Sequence, residues 1–229
     1  MKSLYWNIRG IANSPSRLAL KRLILLHKPD FIFLAEPWMN FNHFPASWLH
    51  RLGFKLFSFN NRDQLLPNLW CICSLHLNPI LIDSDSQQVT FTINLNNTTL
   101  FFSAIYAFTS NIKRKDLWHK LSSLQSQYDA PWCLIGDFNT VLGSHEHCGF
   151  FSPARPPMTD FQSWTDINNL IHLPTRGSFF TWDNGRMGRR HTKRRLDRSI
   201  CNKKNGWIFA LSLVVLLSPT PARIITLFF

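Results

Sequence analysis

Acidic side chains are scarce. The 229 residues carry 13 Asp and Glu against 25 Lys and Arg, a formal net charge of +12, which makes a polyanion the default partner. Cysteine is sparse and has no pairing pattern. Cys71, Cys73, Cys133, Cys148 and Cys201 are odd in number and show no Cys-x-x-Cys spacing, which argues against both a disulfide framework and a structural zinc site and fits a reducing compartment. The opening Met1-Lys2-Ser3-Leu4-Tyr5-Trp6-Asn7 lacks the long apolar stretch of a secretory signal, so nucleus or cytoplasm is the expected location. Long apolar runs are also missing. Trp207 to Leu217 is interrupted by Ser218-Pro219-Thr220-Pro221, well before the roughly 20 residues of a membrane span, and no membrane association is expected. After Asp197 there is no His, Asp or Glu, and the last histidine is His191.

What is present is core-forming material. Hydrophobic residues make up 45% and aromatics 14% of the chain, enough for one large domain. Strand-like and helix-like stretches alternate, which favours an α/β or α+β architecture. Leu4 to Ile8 reads as a strand, Ser14 to His27 as an amphipathic helix capped by Ser14 or Ser16, and Asp30 to Ala35 as a buried strand. Further strands are expected at Leu69 to His76, Val89 to Leu95, Thr99 to Tyr106, Trp132 to Ile135 and Phe179 to Trp182. Asn96-Asn97 is a hairpin signal. Lys113 to Gln127, with Leu117, Leu121 and Leu124 on one face, and Asp160 to Leu170 are the other expected helices. Arg186 to Arg195 reads as a basic loop, and no boundary is visible before about residue 205.

Three polar residues share a context: Asn7, Glu36 and Asp137 each terminate an apolar strand, with Asn139 two residues after the last. Singly, such residues are turn formers. Together, at the ends of buried strands, they converge on one sheet edge and supply the carboxylate and amide oxygens that a hard cation takes.

The ordered set of motifs resembles the endonuclease/exonuclease/phosphatase superfamily, most closely the endonuclease domain of plant LINE-type (non-LTR) retrotransposons. It comprises Trp6-Asn7-Ile8-Arg9-Gly10, Ala35-Glu36-Pro37-Trp38, Ile105-Tyr106-Ala107, Arg114 with Leu117-Trp118, Gly136-Asp137-Phe138-Asn139, Gly177-Ser178-Phe179-Phe180-Thr181-Trp182 and Arg195-Leu196-Asp197-Arg198. The resemblance implies an α+β fold, a four-layer α/β sandwich in which two packed β-sheets are flanked by helices. It implies a magnesium- or manganese-dependent phosphodiesterase that nicks DNA, without a small-molecule cofactor and as a monomer. Glu36 would coordinate the metal with support from Asn7; Tyr106 would contact the scissile phosphate. Asp137 would orient or deprotonate the attacking water, and Asn139 would hold a phosphate oxygen. Trp182 and Thr181 match the wall beside the site, and Arg9, Trp182, Arg186, Arg189, Arg190, Lys193 and Arg194 are the candidate nucleic-acid contacts. A catalytically inactive nucleic-acid-binding remnant and a phosphoester phosphatase are the alternatives.

The resemblance stops near residue 204. Family members carry a C-terminal Ser-Asp-His motif, and Asp197 matches the residue that orients its histidine, but this chain runs on as an apolar tail, residues 205–229. One codon choice for Arg223 to Phe229, CGG ATC ATT ACC CTC TTC TTT after a T, reads from that T as Ser-Asp-His-Tyr-Pro-Leu-Leu. The tail is therefore expected to be a frameshifted C-terminus, leaving the fold incomplete there unless its apolar run fills the vacated strand position.

Overall fold

The computed structural model describes residues 1–95, 98–174, 178–202, 212–216 and 224–226. The expected turn at Asn96-Asn97, Gly177 and most of the tail lie outside the described residues. In chain order the elements are β1 (Lys2–Asn7), α1 (Ser14–His27), β2 (Phe31–Ala35), α2 (Ala46–Arg51), β3 (Phe54–Phe59), β4 (Leu69–Ser74), β5 (Ile80–Ser84), β6 (Gln88–Leu95), β7 (Thr98–Tyr106) and α3 (Asn111–Gln127). They continue with β8 (Trp132–Asp137), β9 (His147–Gly149), α4 (Arg155–Ile167), β10 (Leu170–His172), β11 (Trp182–Asp183), β12 (Thr192–Arg194), β13 (Asp197–Asn202), β14 (Ser212–Leu216) and β15 (Ile224–Thr226).

Two six-stranded sheets, ordered β15-β14-β1-β2-β4-β3 and β10-β13-β8-β7-β6-β5, carry the fold, and β11-β12-β9 form a small third sheet. Period-two alternation makes each large sheet two-faced. Tyr5, Phe31, Phe33 and Cys71 from the first sheet meet Phe91, Phe102, Cys133 and Ile135 from the second in one buried cluster. Leu4, Trp6, Ile32, Leu34 and Trp70, pointing the other way, pack with Leu20, Leu23 and Ile24 of α1 and Leu49 of α2. On the far side, Ile105, Trp132 and Leu134 pack with Leu117, Trp118 and Leu121 of α3 and Phe161 and Trp164 of α4. The layers run helix, sheet, sheet, helix, the four-layer sandwich expected.

Several local expectations are corrected. The cap of α1 is Asn13, whose Oδ1 accepts from Ser16 N at 2.7 Å, and Pro15 occupies the first turn, where a missing N–H costs nothing. α4 spans Arg155–Ile167, earlier than Asp160 to Leu170, because Pro156 and Pro157 sit at its permissive start. The expected Phe179 to Trp182 strand shrinks to Trp182–Asp183, and part of the basic loop is the strand β12, paired with both β11 and β9.

The apolar tail does fill a strand position. β14 pairs parallel with β1 from Lys2↔Ser212 to Trp6↔Leu216, and β15 pairs antiparallel with β14. Among the described residues no helix is long and apolar enough to cross a membrane.

Candidate active site

Five elements bring their ends to one place. Asn7 ends β1 and pairs with Ala35, the residue before Glu36. Tyr106 ends β7 and pairs with Asp137 at the end of β8, while Asp197 opens β13 directly opposite Asp137. Asn7 Nδ2 donates to Glu36 Oε1 at 2.7 Å and Tyr106 OH donates to the same oxygen at 2.6 Å, so Glu36 links the two sheets. Glu36 holds a left-handed backbone, φ 53°, which is uncommon outside glycine and frequent where a site dictates the conformation. Its backbone N–H donates to Asn68 O and its carbonyl accepts from Gly10 N, two anchors that sustain the turn.

Asn139 is also left-handed, φ 50°, a conformation Asn tolerates. Its N–H donates to Asp137 Oδ1 and its Nδ2 to Ala107 O, each at 2.7 Å. The glycine before Asp137 is dictated by space: Gly136 has φ 144°, and a Cβ there would lie 2.0 Å from Ile105 O. Arg114, 3% exposed, donates to Phe108 O and Thr109 O, both at 2.8 Å, and so shapes the loop that follows Tyr106.

Both aspartates hold their protons more tightly than free carboxyl groups do. Burial, then the charge of Asp197, pushes Asp137 well above the usual carboxylate range against the opposing N–H of Asn139. Burial pushes Asp197 up to about 6, with Thr181, Arg198 and Arg9 pulling the other way. Tyr106 is held protonated by burial first and by Glu36 second. Fully buried Tyr5 lies beneath the two aspartates and is itself pushed up by burial and by their charge. No hydrogen bond or ion pair joins Asp197 to a histidine among the described residues.

Asn7 Oδ1 is buried and accepts no hydrogen bond. With the Glu36 carboxylate beside it, this orphaned oxygen fits a hard cation that keeps much of its water. No group of three or more His, Cys, Asp or Glu able to hold a metal occurs among the described residues.

Two residues that carried no role in the sequence reading hold the site in shape. Arg198, fully buried, donates to Glu146, 1% exposed, through Nη1 at 3.1 Å and Nη2 at 2.8 Å. The same guanidinium donates to Thr140 O and Arg195 O, tying together the loops after Asp137 and before Asp197. Arg195 adds a second ion pair to Glu146 at 3.5 Å. Only the adjacency of Arg198 to Asp197 signalled its importance; Glu146, among Ser144, His145 and His147, gave none.

The candidate nucleic-acid contacts divide. Arg9, Arg186, Arg189, Arg190 and Arg194 are exposed and Trp182 is half-buried. Lys193 is drawn to Asp183 at 3.7 Å, beside His191 at 3.1 Å. Thr181 Oγ1 accepts from both Leu196 N and Asp197 N, at 2.8 and 2.9 Å, so the small sheet is fastened to the start of β13.

Residues 4–205 match the family model described as Endonuclease/Exonuclease/phosphatase family. A search among curated proteins returns no match. Among solved structures, the endonuclease domain of TRAS1, a telomere-specific non-LTR retrotransposon, aligns over 99% of this chain and 97% of its own with TM-score 0.72 and 12% identity. The Neisseria 3′ phosphatase NExo bound to a product DNA hairpin aligns over 99% and 98% with TM-score 0.68 and 16% identity. An AP endonuclease from Archaeoglobus fulgidus aligns over 98% of each chain with TM-score 0.68 and 15% identity. At these identities the likeness is one of fold.

Proposed function

The chain belongs to the endonuclease/exonuclease/phosphatase family, and from that premise we propose that it is a magnesium-dependent phosphodiesterase that nicks DNA, descended from a non-LTR retrotransposon endonuclease and slowed by the lack of a histidine beside Asp197. The observation that carries this reading is the convergence of Asn7, Glu36, Tyr106, Asp137 and Asp197 on one edge of the two sheets, with Asn7 Oδ1 left free.

Glu36 and Asn7 would hold the cation. Magnesium, or manganese in its place, would neutralise charge that develops on the phosphate oxygens. Tyr106, kept protonated, turns its O–H from Glu36 to a phosphate oxygen. Asp137, whose affinity for a proton is raised, takes the proton of the attacking water, since a base works best with a pKa brought toward the working pH. Asn139 keeps one amide N–H on Ala107 O and has the other for a phosphate oxygen. Asp197 has no imidazole to orient, and removal of one group that stabilises the transition state costs on the order of 10²–10³ in rate.

A supercoiled-plasmid nicking assay tests the reading. Slow nicking is expected, abolished by a chelator and by Asp137→Ala, and raised on the order of 10²–10³ when Ser-Asp-His is restored in the tail. Nicking that survives Asp137→Ala unchanged overturns the catalytic assignment. The missing histidine favours a second reading, a remnant that binds DNA without cutting it; salt-sensitive binding with no nicking under any of these conditions supports that reading instead.

A further inference from the structure

Phe150 and Phe151 lie just after β9 (His147–Gly149), apart from the strand ends that form the candidate site. They are adjacent, 61% and 72% exposed, and packed edge-to-face with ring centroids 5.1 Å apart. Neighbouring phenylalanines this bare are costly in water and are informative where a lone exposed apolar residue is not. They follow Gly149, the residue of β9 paired with Thr192 of β12, so they lie at the rim of the small sheet. Arg189 places its guanidinium carbon 5.0 Å from the Phe150 ring centroid. The arrangement recurs on the same unit: Arg194 lies 5.8 Å from the centroid of Trp182, and Arg195 5.3 Å from that of Phe179, itself 43% exposed.

A purely apolar partner would leave the exposed guanidinium groups of Arg189 and Arg194 desolvated and unpaired. A nucleic-acid strand with free bases satisfies both components, because phosphates take the arginines and base faces take the rings. The strand between the rim and the site is short. From Phe151 back to Gly149, across the ladder to Thr192 and on to Asp197, the path is at most about 30 Å, from chain steps of up to ~3.6 Å and one strand spacing of ~5 Å, or about nine stacked base steps at ~3.4 Å each.

We propose that Phe150 and Phe151, with Arg189, form a stacking clamp for an unpaired nucleobase, and that the DNA suited to this chain has bases out of stack within about nine steps of the scissile phosphate. The inference rests on the DNA reading above and adds the class of substrate. Both side chains project into solvent, so their truncation opens no cavity in the core.

The test is equilibrium binding in chelator, which blocks cutting, to oligonucleotides carrying 2-aminopurine in a single strand, in an unpaired bubble and in a continuous duplex. The wild-type chain is expected to quench the fluorophore in the first two. Phe150→Ala with Phe151→Ala, and equally Phe150→Leu with Phe151→Leu, should lose the quench and about tenfold or more in affinity for the unpaired substrates. Their affinity for duplex should hold, and Phe→Trp at both positions should retain clamping. A leucine pair that binds and quenches like wild type, or an equal loss on paired and unpaired DNA, overturns the clamp while leaving the nuclease reading intact. So does a dimer in sedimentation that the alanine pair dissolves without changing DNA affinity, since the occupant is then a second copy. Failure of the wild-type chain to bind any of the three at low salt overturns the DNA reading itself.

Discussion

Asp137 and Asp197 face each other across an antiparallel ladder, both below one-tenth exposed, and the burial of Asp197 has a thermodynamic signature. The folded-state pKa of Asp197 is raised to about 6, from about 3.9 in the unfolded chain. The folded state therefore binds the extra proton, so this contribution to stability is whole below about pH 4 and is lost as pH rises through about 6. Asp197→Asn removes that loss. In chelator, thermal unfolding should show the variant several degrees above wild type at about pH 8 and no such advantage at about pH 4; an identical difference at both ends rejects the assignment. At this scale the sequence was legible where a polar residue closed an apolar run, as Asn7 and Asp137 do. It was silent where identity follows from backbone geometry. Nothing in Ala35-Glu36-Pro37 announces that Glu36 is left-handed, and the Asn13 cap was obscured by two serines that suit a helix start equally well.

Elements that are buried on both faces were readable because they are continuous apolar runs: Phe31–Ala35, Leu69–Ser74 and Trp132–Asp137 are buried throughout. Short strands owe their existence to partners and have no such signal. β9, β11 and β12 are two or three residues long, and β5 lies at a sheet edge with Ile80 and Leu81 exposed. The clamp of Arg198 on Glu146 belongs to this scale, because it joins the strand that carries Asp197 to the turn before β9. Glu146→Gln keeps the volume and removes the only carboxylate that pairs with Arg198 among the described residues. Leaving a buried guanidinium uncompensated is expected to cost about 3–5 kcal/mol, read as a lower midpoint in urea unfolding. A midpoint unchanged from wild type contradicts the role given to the pair.

For the whole molecule, the excess of positive charge has a definite distribution. Arg198 is fully buried and the Arg195 side chain is 14% exposed, so the dense basic run divides into an interior part that holds loops and an exposed part at Arg186, Arg189, Arg190 and Arg194. Replacing Arg186, Arg189 and Arg190 with Gln should flatten the slope of log affinity against log salt for duplex DNA by about 3, close to one unit per lost phosphate contact. An unaltered slope places the phosphate contacts elsewhere. At this scale the mixed α/β class was legible from the alternation of strand-like and helix-like runs, whereas the layer order came with the family resemblance. Legibility ended at the tail, where hydrophobicity without family motifs gave no register, yet β14 pairs with β1 from Lys2 to Trp6.

The opposed aspartates also bear on how such a chain ages. Where cutting is selected, the repulsion between Asp137 and Asp197 is maintained as a cost of function. On the proposed catalytic reading, Asp→Asn at either position is, in a lineage released from that selection, one step that removes both activity and strain. Inactive descendants should then gather amides at these two places and become sturdier than the enzyme they came from, so that decay of function and gain of persistence proceed through the same substitution.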